Sequence, residues 1–118
     1  KEWYLHDTTL RFDPDKDDKQ MIQWFADLVG GTDPDVMQAI VRFLPDVDVS
    51  SLCPRVKVPT LILHPGQSPI APVEEAQAMH QAIPNARLVV YKDASHHIFL
   101  TRSEDCAHEM LHFLQSLV

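Results

Sequence analysis

The chain has 118 residues, 45% of them hydrophobic and 23% charged, which suits one globular domain and excludes a disordered or collagen-like chain. Ten Lys and Arg against seventeen Asp and Glu leave a net charge of −7 with His neutral, so the basic surface that binds nucleic acid is missing. No apolar run approaches the roughly 18 to 20 residues of a membrane helix, and the start of the chain lacks the order of a signal peptide. We therefore expect a soluble chain with neither nucleic acid nor membrane as a partner.

An acidic stretch at residues 13–18 predicts a loop that leads into a helix, because acidic groups are favourable near a helix N-terminus. The stretch partly resembles a calcium loop. It lacks the central Gly and the closing Glu of such a loop, so a solvated turn is the favoured interpretation.

Two short amphipathic helices are predicted next. The first starts near Asp18 and stops at Gly30; the second is capped by Asp33, has Pro34 at its first position and stops at Pro45. Each has one apolar stripe, which we expect to pack in a core, with a pocket lining as the alternative. The stripes are Met21, Trp24, Phe25, Leu28 and Val29, then Val36, Met37, Ile40, Val41, Phe43 and Leu44.

Two apolar runs without alternation, Val58–His64 and Leu88–Tyr91, predict strands that are buried on both faces. A polar connection over residues 46–58, with at most one helical turn, leads into the first strand. A helix is predicted between the strands, and a crossover of this kind makes the strands parallel with a right-handed connection. The apolar stripe of that helix is Val73, Ala76, Met79, His80 and Ile83.

A final helix is predicted to be capped by Ser103 or Thr101, with Glu104 and Asp105 in its first turn. Its apolar stripe is Ala107, Met110, Leu111, Leu114 and Leu117.

The predicted sheet is incomplete, because two apolar parallel strands cannot cover their own faces and edges. We expect further strands from one of three sources: another chain, a preceding N-terminal part of a longer polypeptide, or a swapped second copy in a homo-oligomer.

Cys53 and Cys106 are too few for a disulfide framework or a zinc site, so both are expected to be reduced, which favours a cytoplasmic location. The sequence HEMLH places His108 and His112 four residues apart, with Glu109 where a zinc protease has its general base. No third ligand is evident downstream, so we predict no metal and no cofactor. The histidines without a partner pattern, expected to be surface or packing residues, are His6, His64 and His80.

His96 and His97 differ from these, because they follow the second predicted strand directly. In open α/β sheets, ligands bind beyond the carboxyl ends of the strands, so this loop lies at the expected crevice. A histidine there can act as a general base.

The segments VPTLILHPGQSPIAPVEEA and IPNARLVVYKDASHHIFLTRSEDCAHEMLHFL resemble the C-terminal half of the α/β-hydrolase family. The resemblance implies an α/β fold in which residues 54–118 form the last strand–helix–strand–helix part of the core. Residues 1–53 are less specifically similar to the helical cap and linker that precede this half.

The resemblance implies that His96 is the catalytic base, since Glu104 follows it at the family's spacing of eight residues; His97 is the alternative. Ser95 stands where the family usually has Gly. Ser68 stands where the family's G-x-x-D-x-x-x-P turn has its Asp, so the acid is expected from elsewhere. The end of a preceding strand upstream of residue 1 is one source, and Asp93 is a less suitable one.

The family's nucleophile motif, G-x-S-x-G, does not occur in the sequence, and the oxyanion hole that accompanies it is missing as well. The implied activity is serine-type cleavage of a carboxylic ester, lactone or related acyl bond once an N-terminal half supplies these groups. The cap residues Trp24, Phe25, Met37 and Phe43 would favour a small apolar substrate. The alternative is a catalytically inactive module of the same fold that binds a ligand or a protein, and other chemistry on this fold also stays open.

Overall fold

The computed structural model describes residues 3–118, with the side chains of residues 6–44 and 46–118. Lys1 and Glu2, the start of the expected cap segment, lie outside the described residues. Six α-helices and two β-strands are described: α1 Trp3–Arg11, α2 Lys19–Gly30, α3 Pro34–Phe43, β1 Thr60–Pro65, α4 Val73–Ala82, β2 Ala86–Tyr91, α5 Ile98–Thr101 and α6 Ser103–Gln115. Two 3-10 turns, Leu44–Asp46 and Ser50–Arg55, connect α3 to β1.

The two strands are parallel, as predicted, and α4 forms the crossover between them. Their register pairs Thr60 with Ala86 at one end and Pro65 with Tyr91 at the other. The predicted burial on both faces is wrong for the described chain, because every strand residue except Pro65 is only half-buried. The helices α4 and α6 contact the strands, but a sheet of only two described strands leaves its edges and part of its faces uncovered.

Residues 3–53, which we call the cap segment after the expected cap, contain one helix more than predicted. The helices α2 and α3 start where expected, with the carboxylates of Asp18 and Asp33 accepting hydrogen bonds from the backbone N–H groups of Met21 and Asp35. The helix α1 was not predicted, because its sequence WYLHDTTLR shows no clear apolar stripe.

The final helix is present where predicted, but it begins at Ser103 itself and neither predicted residue caps it. Arg102 occupies the cap position, and its side chain makes no capping hydrogen bond. Thr101 belongs to the short helix α5, which was not predicted, and its hydroxyl donates to His97 O at 3.2 Å.

The best-packed cluster lies between the strands and α6, and consists of Ala94, Ile98 and Cys106 with Leu63 and Tyr91 against it. The expectation that the apolar stripes pack in a core is wrong for much of the described chain. Most of their large side chains are exposed, for example Trp24 at 55%, Phe43 at 67% and Leu114 at 59%.

The radius of gyration is 16.1 Å, whereas a compact domain of this length has about 13.5 Å. The molecule is thus more extended than a compact domain, and many of its apolar side chains are exposed. No helix in the described part of the chain is long and apolar enough to cross a membrane.

Candidate active site

Two connections meet at the carboxyl ends of the parallel strands. We call residues 66–72, which follow β1, the serine turn, and residues 92–97, which follow β2, the histidine loop. This is the position at which open α/β sheets bind ligands. The first of these connections holds Ser68, and the second holds both candidate histidines.

Backbone hydrogen bonds join the serine turn to the histidine loop. Gly66 N donates to Tyr91 O at 2.8 Å, and Gln67 N donates to Ala94 O at 3.0 Å. The Gln67 side chain adds a bond from Nε2 to Lys92 O at 3.0 Å. Two of these three bonds join backbone groups, which a side-chain substitution does not remove.

Gly66 is required where the two connections approach each other most closely. A Cβ atom at this position would lie 2.5 Å from Lys92 O and 2.6 Å from Lys92 Cα, both of them backbone atoms. Only a residue without a Cβ fits this space, because backbone cannot move aside as a flexible side chain can.

This arrangement brings Ser68 to His96. Ser68 Oγ lies 2.8 Å from His96 Nδ1. The same oxygen accepts hydrogen bonds from Ala71 N at 2.9 Å and from Ile70 N at 3.2 Å. The residue at the family's acid position thus contacts the expected base, but as a hydroxyl rather than as a carboxylate.

Asp93, the alternative acid within the chain, is not brought to His96. Its side chain is exposed, and its charge acts on Lys16, whose pKa it helps to raise after the larger effects of Asp13. The acid partner is therefore not found at Asp93.

His97 occupies an aromatic cluster instead. Its ring lies 4.6 Å from that of Phe25 and 5.2 Å from that of Phe12, measured between centroids. Its Nε2 atom is buried without a hydrogen-bond partner among the described residues. Burial, with smaller contributions from His96 and Arg11, lowers the pKa of His97 to about 4. This histidine packs the cap segment onto the histidine loop.

Two charged residues of the cap segment, Arg11 and Asp7, influence the pKa of His96. Burial is the largest cause that lowers the pKa of His96 below its ordinary value of 6.5, and Arg11 and His64 lower it further, while Asp7 opposes them. Arg11 Nε and Nη2 donate to the two carboxylate oxygens of Asp7 at 2.6 and 2.9 Å. The sequence reading missed this pair, although its spacing of four residues is a recognised helix signal.

Ser95, which stands at the family's Gly position, has a partner in the cap. Its hydroxyl donates to Asp17 Oδ2 at 2.7 Å, and that oxygen also accepts from Asp13 N at 2.7 Å. The acidic turn is therefore attached to the residue just before His96. A cavity of about 270 Å³ beside this contact is lined by residues that include Phe12, Gln67, Pro69 and Ser95.

In the HEMLH segment, Glu109 and His112 both hydrogen-bond to Arg87. Glu109 Oε2 accepts from Arg87 Nη2 at 2.9 Å, and His112 Nδ1 accepts from Arg87 Nη1 at 3.2 Å, so both residues join α6 to β2. No group of three or more His, Cys, Asp or Glu side chains that could hold a metal ion occurs in the part of the chain that the structure describes. Of the remaining histidines, His64 donates from Nδ1 to Pro65 O at 2.7 Å.

A parallel strand–helix–strand unit, a final helix and a histidine at the carboxyl end of the last strand are arranged as in the C-terminal part of an α/β-hydrolase fold. Solved structures agree with this class. An esterase from Exiguobacterium antarcticum matches 95% of the chain with a TM-score of 0.83 and 24% identity. A hydrolase from Oleispira antarctica matches 97% of it with a TM-score of 0.84 and 23% identity.

The family described as TAP-like protein matches residues 41–116, and the chain belongs to this family of α/β-hydrolases. Pimeloyl-[acyl-carrier protein] methyl ester esterases are similar in sequence. The one from Vibrio atlanticus (strain LGP32) is 28% identical over 82 residues, and the one from Vibrio vulnificus (strain YJ016) is 28% identical over 80 residues.

These matches cover 70% and 68% of the chain but only 32% and 31% of the relatives. The chain thus spans about a third of the length of the curated relatives it matches. It also covers 41% of each of the two solved structures. The expected α/β-hydrolase fold, with only part of the sheet in this chain, is confirmed.

Proposed function

We propose that this chain is the C-terminal part of a carboxylic ester hydrolase, with His96 as its general base. The observation that carries the proposal is the position of His96, at the carboxyl end of the last strand and joined by hydrogen-bonded connections to the turn after the other strand. The similarity to methyl ester esterases supports an ester as the substrate class.

The proposed reaction needs a serine nucleophile and an oxyanion hole from outside this chain. His96 Nε2 would accept the proton of the serine hydroxyl while the serine oxygen bonds to the ester carbonyl carbon. It would then return that proton to the leaving alcohol as the carbon–oxygen bond breaks. A water molecule, activated by the same histidine, would hydrolyse the acyl-enzyme and regenerate the serine.

The proposed partner of this chain is an N-terminal half that contributes the remaining strands, and we refer to the two together as the complete protein. Exposed apolar side chains on the cap and on α6, such as Phe43, Leu111 and Leu114, support this proposal, because a folded domain normally covers such surface. We propose residues 1–53 as the cap over the site and a small ester with an apolar acyl or alcohol group as substrate.

A cytoplasmic location is proposed as well. Cys53 and Cys106 are both free thiols in the structure, and a reducing compartment preserves thiols.

The test is to treat the native preparation with a fluorophosphonate serine probe, denature it and weigh every chain by intact mass spectrometry. A companion segment or chain with one adduct would support the serine mechanism. The same preparation is assayed with p-nitrophenyl esters of increasing acyl length. His96→Ala should lower kcat by at least about 10²-fold, whereas the control His80→Ala, on the exposed face of α4, should not. Equal activity of the two variants would refute the role of His96.

A second candidate is a ligand- or protein-binding module that has lost catalysis. The contact of His96 with a hydroxyl instead of a carboxylate favours it. A complete protein without a probe adduct, and without ester hydrolysis above the rate of His96→Ala, would support this second function.

A further inference from the structure

The hydrogen bonds around Ser68 Oγ determine which partner donates. A serine hydroxyl has two lone pairs and one hydrogen. Two backbone N–H groups, from Ala71 and Ile70, point at this oxygen at 2.9 and 3.2 Å, and an amide N–H can only donate. Both lone pairs are therefore occupied. The hydroxyl hydrogen is what remains for His96 Nδ1, which lies 2.8 Å away.

The direction of this bond defines the state of the imidazole. Nδ1 accepts from Ser68, so it carries no hydrogen, and a neutral imidazole then has its single hydrogen on Nε2. The reverse arrangement would place three donors on the two lone pairs of one oxygen and leave the Ser68 hydrogen without an acceptor among the described residues.

We propose that Ser68 is a positioning residue that holds resting His96 with its hydrogen on Nε2, and so restrains the hydrolase. This inference rests on the proposed function, in which Nε2 must accept a proton. In the resting form, Nε2 is a donor. One proton must leave Nε2 and one must bind Nδ1, by exchange with water, before His96 can act as a base.

A protonated imidazole is disfavoured for the same reason, because its Nδ1–H would face a serine oxygen with no free lone pair. The charged side chains that act on His96 from the neighbouring elements are Asp7, Arg11 and His64. Arg11 engages both oxygens of Asp7, and no hydrogen bond joins that carboxylate to His96 in the part of the chain that the structure describes.

An aspartate at position 68 would reverse the arrangement. Its carboxylate would accept from Nδ1–H and leave the Nε2 lone pair free, while its remaining lone pairs would still receive the two backbone N–H groups. In a serine protease, an amide in place of the triad carboxylate fixes the wrong tautomer and lowers kcat by about 10⁴. Ser68→Asp should therefore raise kcat of the complete protein, by up to about 10⁴-fold, with KM little changed.

The direct test is the ¹⁵N spectrum of the His96 imidazole in the complete protein, at a pH above its titration and assigned by comparison with His96→Gln. Protonated and unprotonated ring nitrogens have distinct ¹⁵N shifts. We expect hydrogen on Nε2 in the wild type and on Nδ1 in Ser68→Asp. Hydrogen on Nδ1 in the wild type would overturn the inference, because a carboxylate from outside this chain would then have to be its partner.

Activity gives the second readout. Ser68→Ala removes the donor and frees the tautomers, so kcat should rise rather than fall; a fall of tenfold or more in a folded variant would overturn the inference. Ser103→Asp adds the same charge at an exposed position and should leave kcat unchanged. If the complete protein hydrolyses no ester, the proposed function fails, whereas the ¹⁵N shifts still decide how Ser68 holds His96.

Discussion

The Ser95 hydroxyl donates a 2.7 Å hydrogen bond to Asp17 Oδ2, and so joins two residues that lie 78 positions apart. Ser95 is buried and directly precedes His96, whereas Asp17 belongs to the acidic turn of the cap segment. The same carboxylate oxygen accepts from Asp13 N, which closes the acidic turn over residues 13–17. The contact with Ser95 therefore holds the whole turn and not only the Asp17 side chain. It couples the cap to the histidine loop.

Removal of this contact should loosen the cap. Ser95→Ala deletes a hydrogen bond to a charged acceptor, and we expect the free energy of unfolding of the complete protein to fall by about 1–2 kcal/mol. Hydrogen exchange should also quicken at the amides of residues 13 and 15–18. The control Ser103→Ala changes an exposed hydroxyl that caps no helix, so its stability should match the wild type. Equal exchange rates in the two variants would contradict the proposed coupling.

Gly66 should be the glycine least tolerant of a side chain. Gly66→Ala forces a Cβ onto the Lys92 backbone and should cost about 1–3 kcal/mol, with a loss of the Ser68–His96 contact as the two connections separate. The matched control is Gly31→Ala. There the nearest atoms to a Cβ, Leu28 O and Asp27 O, lie at 3.5 and 3.6 Å, and the backbone is right-handed. Urea denaturation of both variants tests the difference, and a Gly66→Ala protein as stable as Gly31→Ala would contradict it.

The pKa of His97 makes stability depend on pH. Its pKa in the folded protein is about 4 and its ordinary value is 6.5, so the unfolded chain binds a proton first. The contribution of neutral His97 to the free energy of unfolding is complete above pH 6.5, and it is lost as the pH falls from 6.5 towards 4.

Replacement of this histidine by Phe should remove that dependence, because Phe fits the aromatic cluster and does not titrate. Free energies of unfolding measured by urea across this pH window should decline less steeply for His97→Phe than for the wild type. The control His80→Phe, at an exposed position, should keep the wild-type slope. Parallel curves for all three proteins would show that His97 does not titrate in this way.

The pKa of His96 is lowered, mainly by burial and then by Arg11, so the acidic limb of kcat/KM should lie below pH 6.5 and activity should be level above it. Arg11→Met should move the limb to higher pH, because a positive charge is removed and Asp7 is released. Asp7→Asn should move it to lower pH. The control Arg42→Met changes an exposed arginine whose Nη2 donates to Gln38 Oε1 at 3.5 Å, and should not move the limb. A limb in the same place for all four proteins would exclude these charges as its cause.

The local sequence pattern was sufficient to predict most of the helices and strands. The Asp18 and Asp33 caps, the apolar runs that become β1 and β2, and the final helix α6 depend on neighbours within a few residues, so the sequence predicts them. The same holds for the candidate site in part. The residues alone place both histidines after the last strand, and the resemblance to the α/β-hydrolase family indicates Ser68 at the acid position and His96 as the base.

The sequence by itself thus determined the fold class, and its resemblance to the α/β-hydrolase family indicated the two residues, Ser68 and His96, on which the candidate site is built. Only the tertiary structure decided which histidine faces Ser68 and which packs against Phe25, since both follow the same strand and differ only in the direction of their side chains. It also decided that Ser95 binds Asp17, a contact between segments that no local periodicity relates. The physical reason is the sequence distance over which the interactions act. The pattern of a helix or strand depends on residues a few positions apart, whereas a site forms where segments distant in sequence meet.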